Sequence, residues 1–207
     1  MFLLSTGRHR TLPFSQPMRV IAGSAGGIRL KIPPHDLRPS MDMVREAAFS
    51  ALGEFVFDAR VLDLFAGSGA YGIEALSRGA AEAVFVDNHP KAIEAIRTNL
   101  SKAHLTGKVI REDVFRFLQR HRDRYRLVFA DPPYAKEIGD RDFAGELLRN
   151  ESLTAVVEPG GLLVLERAPA DKPVSTSYWE ITRAKKYGAT QLLFCIRKEL
   201  ASTYLQK

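Results

Sequence analysis

The chain has 207 residues, 45% of them apolar and 26% charged, with a net charge of +6 and a pI near 9.5. That is the profile of one globular domain with at most a small appendage, and it excludes fibrous and low-complexity chains. No stretch approaches the ~20-residue apolar run of a membrane span, and Met1-Phe-Leu-Leu4 is too short for a signal-peptide core. The single cysteine, Cys195, excludes an internal disulfide and suits a reducing, cytoplasmic setting. The five histidines are scattered and no Cys/His cluster has ligand spacing, so no metal is expected; without a long apolar run, no membrane association is expected either.

Residues 1–17 lack periodicity and are expected to be a disordered extension. Residues 18–53 read as a small unit of hairpin and helix that faces a polyanion, with residues 54–207 as the main domain. The charge supports this: seven Arg/Lys fall between Met1 and Arg45 (8, 10, 19, 29, 31, 38, 45) against two Asp (36, 42). Arg19–Gly23 and Ile28–Ile32 predict two short strands, with Arg29 and Lys31 on one face. Ser40 is a good N-cap for a helix with Val44, Ala47, Ala48, Ala51 and Leu52 as its apolar stripe and Gly53 as its stop. Arg38 and Arg45 flank that helix start; either Arg45 and Glu46 are only surface charges, or this segment lids the ligand pocket and touches substrate phosphates.

Val61-Leu-Asp-Leu-Phe65 predicts a buried parallel strand. Gly67, Gly69 and Gly72 follow, then a helix stopped by Gly79. Strand, glycine turn and helix form a nucleotide-cofactor site, because glycine lets the backbone approach a ligand and the helix start offers free N–H groups. By spacing alone the motif does not separate NAD from S-adenosylmethionine. Asp63 tilts it, since a carboxylate inside the strand needs a partner. Either the ammonium of a methionine moiety or an N–H network holding the loop serves, whereas a pyrophosphate would be repelled.

Ala83–Asp87 predicts the second strand, with Asp87 placed to accept from a ribose diol; Asn88 or His89 then caps a helix opened by Pro90. Lys108–Arg111 is a third strand, after which Asp113 is placed where it could meet an adenine amine and Val114 opens a short helix. Arg116, Arg120, Arg122, Arg124 and Arg126 read as solvated surface. Leu127–Asp131 is the fourth strand, and Asp131-Pro-Pro-Tyr134 stands at its carboxyl end, where doubly wound sheets bind ligands. Asp131 and the Pro132 carbonyl can accept from an amine on a flat base, Pro133 stiffens the loop, and Tyr134 can stack on the ring. A helix over 142–157, a fifth strand over Leu162–Glu166 and an edge hairpin about Tyr187-Gly-Ala189 complete the chain.

From Arg19 onward the chain resembles the RsmD family, bacterial methyltransferases acting on small-subunit ribosomal RNA. The resemblance rests on Leu37-Arg-Pro-Ser-x-Asp-x-Val-Arg-Glu46, Leu62-Asp-x-Phe-Ala-Gly-Ser-Gly-Ala-x-Gly-x-Glu-Ala-Leu-Ser-Arg78, Asp87 and Asp131-Pro-Pro-Tyr134. It implies an α/β, Rossmann-like fold of seven strands with the last antiparallel. It implies transfer from S-adenosylmethionine to the N2 amine of guanine 966 in 16S rRNA, in an assembled or assembling 30S particle, by a monomer. Carried over, Asp63, Phe65, Ala66, Gly67, Ser68 and Gly69 would hold the methionine end, Asp87 and Asn88 the ribose, Asp113 and Val114 the adenine. Asp131 to Tyr134 would hold the guanine. From their charge and placement on the ribbon and helix start, Arg29, Lys31, Arg38, Ser40 and Arg45 are expected to contact the RNA. Met41 and Met43 stand where the family carries threonine and usually arginine. Tyr71 replaces a commoner leucine, with packing alone expected to change. The rival expectations are a DNA adenine-N6 methyltransferase, for which 207 residues leave little room for base-flipping recognition, a non-catalytic RNA-binding assembly factor, and an NAD-dependent oxidoreductase.

Overall fold

In a computed structural model the structure describes residues 18–33, 41–134, 139–169 and 176–198. The predicted extension over 1–17, and the sites expected at Arg38 and Ser40, lie outside the described residues.

Strand and helix alternate: α1 (Met41–Leu52), β1 (Arg60–Leu64), α2 (Ala70–Ser77), β2 (Glu82–Asp87), α3 (Pro90–Ala103), β3 (Lys108–Arg111), α4 (Val114–Arg120), β4 (Tyr125–Ala130), α5 (Phe143–Leu148), α6 (Glu151–Ala155), β5 (Val157–Arg167), β6 (Trp179–Tyr187) and β7 (Thr190–Arg197). One seven-stranded sheet has the order β3-β2-β1-β4-β5-β7-β6. Strands β1 to β5 pair in parallel, as strand–helix–strand crossovers require, and β7 runs antiparallel to both β5 and β6.

Both faces of the sheet are covered, so the central strands are buried throughout, and strand periodicity decides which core each side chain joins. Val61, Phe85, Phe129 and Val164 pack under α1, α2 and α3. Leu62, Leu64, Val86, Val128 and Leu165 pack under α4, α5 and α6. Close approach of α2 to β2 needs Gly72, since a Cβ there would overlap the Phe85 ring.

Three predicted elements differ. The N-terminal hairpin contracts to one antiparallel bridge between Arg19 and Arg29, because the main domain takes the ribbon's outward backbone groups. The buried Glu74 carboxylate accepts from the Ile21 and Ala22 N–H groups at 2.6 and 3.1 Å. Ser77 accepts from the Ala25 N–H through its hydroxyl at 2.9 Å, and Asn99 binds Lys31 through both N–H and C=O. Met18, Val20, Ala25 and Leu30 thus join the core under α2 and α3. The helix expected over 142–157 is two helices, since Asn150 caps the second by accepting from the Leu153 N–H at 2.9 Å. The fifth strand starts earlier, at Val157, and absorbs Pro159-Gly-Gly161 in a register shift between Tyr125 and Leu127.

Candidate active site

Strand register assembles the site. β1, β4 and β5 end side by side, with Asp63 paired to Phe129 and Ala130 paired to Leu165. Counting in twos from Val61, Phe129 and Val164 places Asp63, Asp131 and Glu166 on the same face, with Asp131 and Glu166 level at the carboxyl edge. A cavity of about 360 Å³ opens there. Phe65, Gly67, Asp87, Asn88, Asp113 and Val114 line one part, and Asp131 and Pro133 line another. A smaller cavity of about 20 Å³ adjoins Asp63, Ala66, Ser68, Tyr71, Asp131 and Glu166.

The glycine loop turns on positive φ at Phe65 (54°), Gly67 (53°) and Gly69 (77°). At Phe65 that conformation is uncommon for a side-chain-bearing residue, a local strain found at ligand sites. Gly69 is the residue before the first turn of α2 and packs against Ile73 and Ile96. Asp63, only 3% exposed, accepts from the Gly72 N–H at 2.9 Å. Of the two partners weighed for it, the N–H network holding the loop is therefore present. Asp87 accepts from the Gly67 N–H at 2.9 Å and the His89 N–H at 2.8 Å. His89 caps α3 and Pro90 begins it, which leaves Asp87 facing the cavity. Asp113 lines the cavity while also capping α4 through the Arg116 N–H at 3.0 Å.

Pro132 is buried, Pro133 exposed and Tyr134 half-buried. The Tyr134 hydroxyl lies 3.0 Å from Thr190 Oγ1 and 3.4 Å from Glu166 Oε2. Arg29 and Lys31 are exposed on the ribbon, Lys31 paired with Glu94 at 2.5 Å. The five arginines between 116 and 126 are all exposed, as expected of a solvated surface.

Arg45 is a correction. It is 1% exposed, donates to the Arg19 carbonyl and to Asp42 (3.1 Å), and lies 3.8 Å from Glu74. A guanidinium committed to internal acceptors between α1, α2 and the ribbon is not a surface contact for phosphates. Tyr71 is a second correction, because more than packing changes there. Its ring stacks on Phe129 with centroids 4.8 Å apart, and its hydroxyl donates to Glu166 Oε1. Burial, with Glu166 and then Asp131 nearby, holds the phenol well above its usual pKa of 10, so it stays a donor.

Sequence reasoning passed over Glu166, Thr190, Asn99 and Arg141. Glu166 had a signal, since it ends a strand with an acid as Asp87 and Asp131 do. Arg141 lies over the Phe115 and Phe143 rings (4.8 and 4.5 Å) at the cavity wall, and Asn99 sits inside α3; neither has a local pattern that marks it. Among the described residues no group of three or more His, Cys, Asp or Glu could hold a metal ion, and no helix is long and apolar enough to cross a membrane.

Sheet order, the reversed last strand and the glycine loop together define the fold of the S-adenosylmethionine-dependent methyltransferases. Residues 18–196 match the family model described as "Conserved hypothetical protein 95". The chain belongs to that family, the RsmD family whose motifs it carries. It is 37% identical over 180 residues to the putative rRNA methyltransferase YlbH of Bacillus subtilis, covering 84% of this chain and 95% of that one. It is 36% identical over 124 residues to the ribosomal RNA small subunit methyltransferase D of Escherichia coli K12, covering 59% of this chain and 63% of that one. The solved structure of the putative methyltransferase yhhF from Escherichia coli superposes with a TM-score of 0.73 at 28% identity, over 87% of this chain and 98% of that one.

Proposed function

We propose that this protein methylates ribosomal RNA, transferring a methyl group from S-adenosylmethionine to the exocyclic N2 amine of guanine 966 in 16S rRNA. The observation that carries the reading is that Asp131 and Pro133 share one cavity with Gly67 and Asp87, so an acceptor corner for a base meets a cofactor loop. The donor set suits this cofactor better than a dinucleotide. The N–H groups of Gly67 and Gly72, which a pyrophosphate would need, are already accepted by Asp87 and Asp63. Carboxylates so placed favour a cationic amino-acid end and a neutral ribose over a phosphate. The glycine loop with Asp63 would hold the methionine end, Asp87 and Asn88 the ribose, and Asp113 and Val114 the adenine. When bound, S-adenosylmethionine supplies an electrophilic methyl group on sulfur.

This chain's residues would prepare the nucleophile. A guanine N2 is a weak nucleophile because its lone pair is delocalised into the ring. Asp131 and the Pro132 carbonyl, accepting its two hydrogens out of the ring plane, favour a pyramidal nitrogen with its lone pair exposed. Tyr134 stacks on the base and fixes its plane. Asp131 need not be strongly basic, because the amine becomes acidic only after methylation. The acceleration then comes from positioning and a preorganised polar site. Arg29 and Lys31 on the ribbon would lie along RNA phosphates, making residues 18–53 the RNA-facing part of a cytoplasmic monomer that acts on the assembled or assembling 30S particle.

The test is transfer of labelled methyl to 30S subunits from cells lacking their own enzyme, beside free 16S rRNA and duplex DNA, with the product digested to nucleosides. N2-methylguanosine at position 966 is the expected product. N6-methyladenine in DNA would replace this reading with a DNA enzyme, and cofactor binding without transfer to any of the three would replace it with a different substrate or a factor that has lost its chemistry. Asp131→Ala should abolish transfer with cofactor affinity within a few-fold of wild type. Tyr134→Ala should lose more rate than Tyr134→Phe.

A further inference from the structure

We infer that Glu166 and Thr190 are positioning residues that lock the Tyr134 ring at the end of β4, with Tyr71 bracing Glu166 from α2. The inference rests on the proposed role of Tyr134 at the target base. Its observations are geometric. Asp131, one residue past β4, and Glu166, next to last in the neighbouring β5, lie at the same level and on the same face. Thr190 opens β7, the strand on the far side of β5. The Tyr134 hydroxyl reaches both, at 3.4 Å from Glu166 Oε2 and 3.0 Å from Thr190 Oγ1, and Tyr71 donates to Glu166 Oε1 from the other side.

Burial makes this arrangement more than packing. Glu166 is 7% exposed and Thr190 3%. A third carboxylate beside Asp63 and Asp131 is costly in a buried site unless its hydrogen bonds are needed. An apolar side chain could support a ring but could not fix the direction of its hydroxyl. Tyr134 follows Pro132 and Pro133 just past the end of β4. Anchoring the hydroxyl to β5 and β7 ties the ring to rigid strands, which is where a stacking platform gains precision. Tyr71 matters because its donated proton holds Glu166 Oε1, which directs Oε2 toward Tyr134. A leucine at position 71 would leave that oxygen without its brace.

The experiment is a double-mutant cycle on the full chain with Glu166→Gln and Tyr134→Phe, read as the single-turnover rate on 30S subunits, with cofactor affinity and Tm alongside. Each single variant is expected to lose about 10-fold to 100-fold in rate with cofactor affinity unchanged. The double variant is expected to be no slower than the worse single, because both remove one anchor. Should Glu166→Gln fail to fold, the cycle of Thr190→Val with Tyr134→Phe carries the same expectation. Losses that multiply would overturn the inference while leaving Tyr134 at the target base. Full activity in Tyr134→Ala would overturn both, since the ring would then have no part in transfer.

Discussion

Replacing Asn99 by alanine should cost more than any other single deletion of a polar side chain in α3. Asn99 is fully buried and accepts from the Lys31 N–H at 2.7 Å. It donates to the Lys31 carbonyl and to the Ser68 carbonyl, both at 2.9 Å. One side chain therefore joins the N-terminal ribbon to the glycine loop. Truncation leaves the Ser68 carbonyl, in a residue 1% exposed, without this partner. An orphaned buried acceptor costs about 1–3 kcal/mol, and each bond to Lys31 contributes about 1 kcal/mol. The sum is about 3–5 kcal/mol, which for a domain of this size lowers Tm by about 6–20 °C. Cofactor affinity should fall with it, because the loop that carries Ser68 loosens. Lys31→Ala, which keeps the backbone bonds and removes only an exposed ion pair with Glu94, should leave both near wild type. Scanning calorimetry with a cofactor titration decides the matter. A drop below about 2 °C in Asn99→Ala would show that water or rearrangement replaces these bonds, and the reasoning would fail.

Gly72→Ala should destabilise by about 1–3 kcal/mol, seen as a lower urea midpoint, because the new methyl overlaps a Phe85 ring that is itself fully buried; an unchanged midpoint would mean α2 can lift off β2 freely. His121 is held below its ordinary pKa by burial, so the unfolded chain, with a value near ~6.5, binds more protons in the window just below that pH. Stability should therefore fall as pH drops from about 6.5 through the folded value, and His121→Gln should flatten that slope in paired unfolding curves. Cys195 is buried and its thiol is pushed up to about 12, so a thiol reagent should label it only in denaturant. Labelling of the native protein at a comparable rate would contradict its burial.

Local pattern was enough to locate β1 to β4, the glycine turn and the carboxyl-end corner, since these depend on short-range facts. Apolar runs mark buried strands, glycines mark turns of positive φ, and Pro-Pro stops a strand. The same logic places Asp87 and Asp131 at the carboxyl ends of their strands and Asp63 inside the first. It failed where partners are distant in the chain. Arg45 reads as a surface cation among polar neighbours, yet it is buried because Arg19, Asp42 and Glu74 converge on it. The ribbon over 18–33 reads as an independent hairpin, but Glu74, Ser77 and Asn99, each more than 50 residues from the ribbon groups they bind, draw its backbone onto α2 and α3. Tyr71 reads as a packing substitution until Glu166, 95 residues away, is found to accept its proton.

By itself the sequence determined the strand–helix alternation, the cofactor loop and the acidic strand ends, because periodicity and turn chemistry act over a few residues. Tertiary structure alone decided which buried charges are satisfied and which hydroxyls reach the site. Those outcomes depend on strand register across β1, β4, β5 and β7, and register is set by packing between segments far apart in the chain.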